Sequence, residues 1–210
     1  MPLIKKALLY FLSLGVAAYA AIGYGITPLG SLVHPGMKEG FVAHPVGVLL
    51  HVFAAAIALA LGPFQFSPHL RRTRRTLHRW MGRVYLGVGV LVGGLSGLYI
   101  AQFAFGGLVA KLGFAVLALC WLYTGLRAFL AIRSSAIDEH QKWMVRNFSL
   151  AFAAVMLRLY IPTSVLAGVD FAVAYPVIAW LCWLPNLLVA ECVYRTSHFR
   201  SPQRTAYNDR

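Results

Sequence analysis

The chain has 210 residues, 60% of them hydrophobic and only 12% charged, with a mean hydropathy of +0.69. Soluble domains carry about a quarter charged residues, so this composition excludes an ordinary soluble globular protein. The net charge of +13 sits mostly between apolar blocks, where cytoplasmic loops carry Lys and Arg and meet anionic lipid headgroups; no nucleic-acid partner is expected.

The apolar blocks run to about twenty residues, the length a helix needs to cross a hydrocarbon core about 30 Å thick. A β-barrel would show short alternating segments instead. Residues 8–26, after Lys5 and Lys6, read as the first span; Ala18-Tyr19-Ala20 also resembles a signal cleavage site, but the apolar run continues past it. Residues 27–45 form a proline-rich loop with His34 and His44, expected outside. The second span, 46–64, is closed by Gly62-Pro63. The loop 65–79 carries Arg71, Arg72, Arg74, Arg75 and Arg79 and gives the strongest inside signal.

A third span covers 80–103, with Gly82, Gly89, Gly93 and Gly97 at spacings that let a helix or a flat cofactor approach the backbone. Gly106-Gly107 turns the chain into a fourth span, 108–132, and residues 133–142 return to the basic side. A fifth span, 143–161, stops near Pro162, and a sixth covers 172–194. Residues 195–210 form a basic tail expected to be disordered and cytoplasmic. The expected fold is an all-α membrane bundle of six transmembrane helices over residues 1–194, both termini cytoplasmic, in the plasma (inner) membrane.

His78-Arg79-Trp80-Met81-Gly82-Arg83 is echoed 62 positions on by His140-Gln141-Lys142-Trp143-Met144-Val145-Arg146. Each copy follows a charged loop and opens an apolar run, which suggests two repeated hairpins, 46–104 and 108–167, forming a four-helix core. The third and fifth spans are then expected to be parallel neighbours, with His78 and His140 at matching depth. Two imidazoles facing one another across a bundle are what bis-histidine haem ligation requires. They are the candidate metal ligands, for haem b, with the arginines from Arg71 onward available to the propionates and Gly82, Gly89 and Gly93 providing room. Met81 and Met144 are weaker substitutes as ligands. The repeat carries His51 onto Gly113, so a second haem site would be half missing.

Ionisable groups within spans are costly and mark functional candidates. Arg127 and Glu191 sit near helix ends, where ion pairing or snorkelling accounts for them. His51 and Arg158 both fall in the outer half, where they are expected to share a polar site, with Asp170 as an alternative partner for Arg158. Cys120, Cys182 and Cys192 lie in apolar runs without a CxxC pair and read as packing residues.

The runs His51…Leu61-Gly62-Pro63-Phe64-Gln65-Phe66, Leu70-Arg71…His78-Arg79-Trp80…Gly82-Arg83-Val84-Tyr85, His140…Trp143-Met144…Arg146, Leu157-Arg158-Leu159-Tyr160 and Trp183…Pro185-Asn186 resemble the DUF2306 family over about residues 46–192. That family comprises predicted integral membrane proteins of unknown function, so the resemblance implies a membrane fold and no activity. More loosely, histidines on successive helices of a four-helix core resemble the cytochrome b561 and ferric-reductase-like haem proteins, which implies electron transfer. Two other classes fit the same residues. One is a transporter or scaffold without cofactor; the other is a metal-dependent membrane enzyme using His51, His78, His140 and Asp138 or Glu139. The Lys/Arg asymmetry makes a direct prediction: reporter fusions at Gly36, Thr73 and Asp138 should report outside, inside and inside, and any other pattern means that the span count is wrong.

Overall fold

The structure, a computed structural model, describes the backbone of residues 3–199 and the side chains of residues 3–192. Six helical segments are long and apolar enough to cross a membrane: Leu3–Ile26, Pro45–Gln65, Arg75–Ala101, Gly107–Arg133, Ile137–Leu166 and Phe171–Cys192. They are the first to sixth spans. No strand occurs among the described residues. The sixth is interrupted after Leu181 and resumes as Leu184–Phe199, so helix runs past position 195. The rest of the expected tail, 200–210, lies outside the described residues.

Spans two to five form a four-helix core in which each packs against its neighbours in sequence, and span two closes the ring against span five. Span one lies along span two and the far half of span five; span six lies along spans four and five. The third and fifth spans, expected to be neighbours, stand diagonally across this core. Sequence similarity between two hairpins sets direction and depth, whereas adjacency follows from short turns, and these make two–three and four–five the intimate pairs.

Several boundaries differ from the expectation for one reason: a helix ends where backbone geometry turns, not where hydrophobicity does. Spans three and five begin at Arg75 and Ile137, so His78 and His140 sit inside the first helical turn rather than in the loop before it. Both therefore lie about 4.5 Å up their helices at 1.5 Å per residue. Span two continues through Pro63 to Gln65, and span five through Pro162 to Leu166, because a proline near a helix end removes one hydrogen bond without deflecting the last turn. The loops 27–45 and 65–79 each contain a short helix, Pro35–Ala43 and Pro68–Thr73, both starting on a proline that lacks the N–H a first turn would leave unpaired. His34 caps the former, accepting from the Gly36 N–H, and Ser67 caps the latter. Left-handed Gly106 and Gly107 turn span three into span four, a conformation that costs glycine little.

Span three changes winding in its middle: Tyr85–Val92 is a π-helix between two α-helical stretches. The segment carries the packing of the core. Tyr85 is fully buried, and its hydroxyl donates to Asn147 Oδ1 of span five at 2.8 Å. Asn147, also fully buried, donates from Nδ2 to the Trp121 carbonyl at 2.8 Å and to Thr124 Oγ1 at 2.9 Å, both on span four. Three spans are thus joined by polar bonds in an apolar interior where no water supplies a substitute.

Above that network the glycine row is filled by helix packing. A Cβ on Gly89 would lie 2.8 Å from Ala58 Cβ and 3.0 Å from its Cα; one on Gly93 would lie 3.1 Å from the Trp121 ring. Backbone meets backbone here, which small residues permit, and the room expected at Gly89 and Gly93 for a cofactor is taken by spans two and four.

Two predictions follow from this packing. Gly89→Leu should lower stability by about 1–3 kcal/mol through overpacking, whereas Gly87→Leu, with nothing within 4 Å, should be neutral; thermal unfolding of the two purified variants reads the contrast. Asn147→Ala should cost about 1–3 kcal/mol by leaving the Tyr85 hydroxyl buried without an acceptor. A double-mutant cycle with Tyr85→Phe should give a coupling near 0.6 kcal/mol, up to about 1.7, and a cycle closing at zero would mean that the two side chains act independently.

Candidate functional site

Besides the Tyr85–Asn147–Thr124 network, two groups of polar side chains lie towards opposite ends of the core, with the packed glycine row between them. At the basic end, His78 and His140 rise from the first turns of spans three and five and lie within electrostatic range of one another. Arg71, from the short helix Pro68–Thr73, stands in range of His78 as well. His140 Nδ1 is 2.8 Å from the Ala128 carbonyl of span four. A carbonyl only accepts, so Nδ1 carries a proton and Nε2 is the ring nitrogen left for another partner.

His78 differs: its Nδ1 is buried and has no hydrogen-bond partner. Gln65, from the end of span two, is buried as well, and its Nε2 is likewise unpartnered. Gln65 Oε1 lies 3.3 Å from where a Cβ on Gly82 would be, and Gly82 is one turn along the helix from His78, on the same face. Buried polar atoms are nearly always hydrogen-bonded. Two unpartnered nitrogens, His78 Nδ1 and Gln65 Nε2, thus fall towards the basic end of the core. Gln65 was not singled out in the sequence, although a glutamine at the end of a twenty-residue apolar run was a signal that could have found it.

Asn147 and Tyr85 were also missed, and here the signal was present. They are separated by 62 positions, the same offset that relates His78 to His140, so the repeat relation joins a polar pair two turns farther into the membrane.

The second group lies towards the opposite end. His51 is six residues into span two, about 9 Å from its end, and Arg158 is eight residues from the end of span five, about 12 Å. His51 Nδ1 is 2.8 Å from the Gly93 carbonyl, and its ring rests on Gly97, where a Cβ would be 2.8 Å from Nδ1. Arg158 is within electrostatic range of His51, and its Nη1 donates to the Ala154 carbonyl at 3.0 Å. Asp170 is not its partner; that carboxylate caps the sixth span by accepting from the Ala172 N–H at 2.7 Å. The Gly113 position, onto which the repeat carries His51, faces span six, where a Cβ would meet the Ala179 carbonyl at 3.0 Å.

Ion pairs and aromatic rings account for the remaining charged candidates. Glu191 accepts from Arg146 through both carboxylate oxygens, tying span six to span five. Arg127 lies over the rings of Tyr123 and Trp143, at 5.8 and 4.7 Å. Glu139 pairs with Lys142 at 2.6 Å. No group of three or more His, Cys, Asp or Glu side chains that could hold a metal ion occurs among the described residues. The ligand set required by the metal-enzyme reading is therefore not assembled: His51 belongs to the opposite group, and Glu139 is engaged by Lys142.

Comparison with curated proteins and with solved structures gives no match. A family model described as a predicted membrane protein matches residues 48–194, which takes in both polar groups and all of spans three to five. The chain belongs to this family, DUF2306.

Proposed function

We propose that the basic end of the four-helix core binds a b-type haem between His78 and His140 and that the protein carries electrons in the membrane. The supporting observation is that two imidazoles, each in the first turn of its span on diagonal helices, lie in electrostatic range of one another, one with a buried unpartnered Nδ1 and one with Nδ1 on a backbone carbonyl. His140 has the arrangement usual for a metal-ligating histidine, in which the other ring nitrogen donates to a backbone carbonyl and holds both tautomer and ring orientation. The Ala128 carbonyl does this for His140.

Bound haem supplies one-electron transfer. The chain's own residues ligate it and set its surroundings. Arg71 offers positive charge to a propionate, and Gln65 Nε2 offers a further donor. Gly82 borders the same space with only the flexible Gln65 side chain against it, so the site rests on Gly82 and not on Gly89 or Gly93. The exposed Arg72, Arg74 and Arg75 suit contact with anionic headgroups on the cytoplasmic side of the plasma membrane, the orientation that the Lys/Arg asymmetry favours.

The visible spectrum of protein purified in detergent from haem-replete cells tests this reading. A Soret band, sharpening with dithionite into distinct visible bands, is expected. His78→Ala and His140→Ala should each abolish it, and His51→Ala should leave it. A colourless preparation would overturn the haem site and leave a scaffold or transporter whose basic end is held by water.

A further inference from the structure

Arg158 carries a positive charge into the far half of the bundle, and the described residues provide no carboxylate for it. The two salt bridges among them, Lys142–Glu139 and Arg146–Glu191, lie at the basic end, and Asp170 is engaged in capping. A guanidinium has five N–H donors. The hydrogen bond to the Ala154 carbonyl is within its own helix, and the guanidinium carbon lies over the Tyr19 ring of span one, 5.6 Å from its centre.

Snorkelling is the ordinary account of an arginine in a span: the head reaches for the nearer interface. Arg158, about 12 Å by rise from the far end of span five, instead donates back to Ala154, one turn towards the basic end along its own helix. There it joins a polar layer made by three spans: Tyr19 of span one, His51 of span two and Arg158 itself, with Tyr24 also in electrostatic range. Tyr19 is 47% exposed and Leu159, beside Arg158, is 45% exposed. The layer is thus open sideways, to lipid, and not only along the bundle axis.

We propose that Arg158, flanked by Tyr19 and His51, is a binding site for the oxyanion head of an amphiphile, a carboxylate or phosphate carried on an acyl chain that enters from the leaflet. Charge selects the head: a cation without a protein counter-ion in a medium of low dielectric attracts an anion strongly, and a guanidinium fork matches a carboxylate or phosphate with paired N–H···O bonds. The route selects the tail, because the exposed surface around Tyr19 and Leu159 is apolar. This site is independent of the proposed haem site at the other end of the core.

The test uses the full-length protein in phosphatidylcholine nanodiscs, with oleate, phosphatidylglycerol, oleyl alcohol and inorganic phosphate as probes and bound ligand counted by native mass spectrometry. One oleate or one phosphatidylglycerol per chain is expected to bind at least tenfold more tightly than oleyl alcohol, which has oleate's chain without its charge. Arg158→Gln should remove that difference, and Arg158→Lys should keep part of it. Equal binding of oleate and oleyl alcohol to the wild-type protein would overturn the site, and this arm stands even if Arg158→Gln fails to fold. Unchanged oleate binding in a folded Arg158→Gln variant would overturn it as well. Inorganic phosphate binding as tightly as the lipids would overturn the leaflet route.

Discussion

A hydrogen bond between two fully buried side chains, from the Tyr85 hydroxyl to Asn147 Oδ1, is the constraint around which the core is arranged. In hydrocarbon neither group has water to fall back on, so each must find a protein partner or carry the cost of desolvation. Asn147 meets the requirement on three sides: it accepts from Tyr85 and donates to the Trp121 carbonyl and Thr124 Oγ1. Rotating span three or five about its axis would break a bond in the interior. The network therefore sets the facing of both helices, and with it the facing of His78 and His140 two turns below.

The π-helical stretch from Tyr85 to Val92 belongs to the same constraint. A wider turn shifts the side chains beyond it relative to those before it, and such stretches recur at functional positions. Here Tyr85, at its start, faces the core, while Gly89 within it lies against Ala58, and Gly93 just after it offers its carbonyl to His51. One helix thus contributes to the basic-end histidine pair, to the buried network, to a close backbone contact and to the far polar group. The glycine contacts make the middle of the core solid, which separates the two polar ends chemically.

That separation bears on function. Both ends hold side chains that are costly in a membrane, but their chemistry differs. The basic end presents two imidazoles, one of them with an unpartnered Nδ1, and the unpartnered Gln65 Nε2. The far end presents a guanidinium and aromatic rings, suited to an anion. Arginine and histidine in a span are usually reconciled by pairing them with an acid, as Arg146 is with Glu191. For Arg158 the described residues provide a carbonyl and a tyrosine ring instead.

The number of spans, their approximate positions and the basic side of the bundle were all legible in the chain, because hydrophobicity and charge act residue by residue along one dimension. That His78 and His140 stand at like positions near the starts of two spans was legible too, since each copy of the repeat opens an apolar run. Rotation about the helix axes was not legible. It is decided by which side chains fit together across helices: Gly89 against Ala58, Tyr85 against Asn147, Glu191 against Arg146. For that reason the third and fifth spans, alike in sequence, could not be told from neighbours until the core was seen to hold them on its diagonal. For the same reason the glycine row, which read first as a packing surface, also admitted a cofactor. Only the tertiary structure set Arg158 over the Tyr19 ring and left Gln65 Nε2 and His78 Nδ1 without partners, because such contacts depend on distance and direction between groups that the sequence sets far apart.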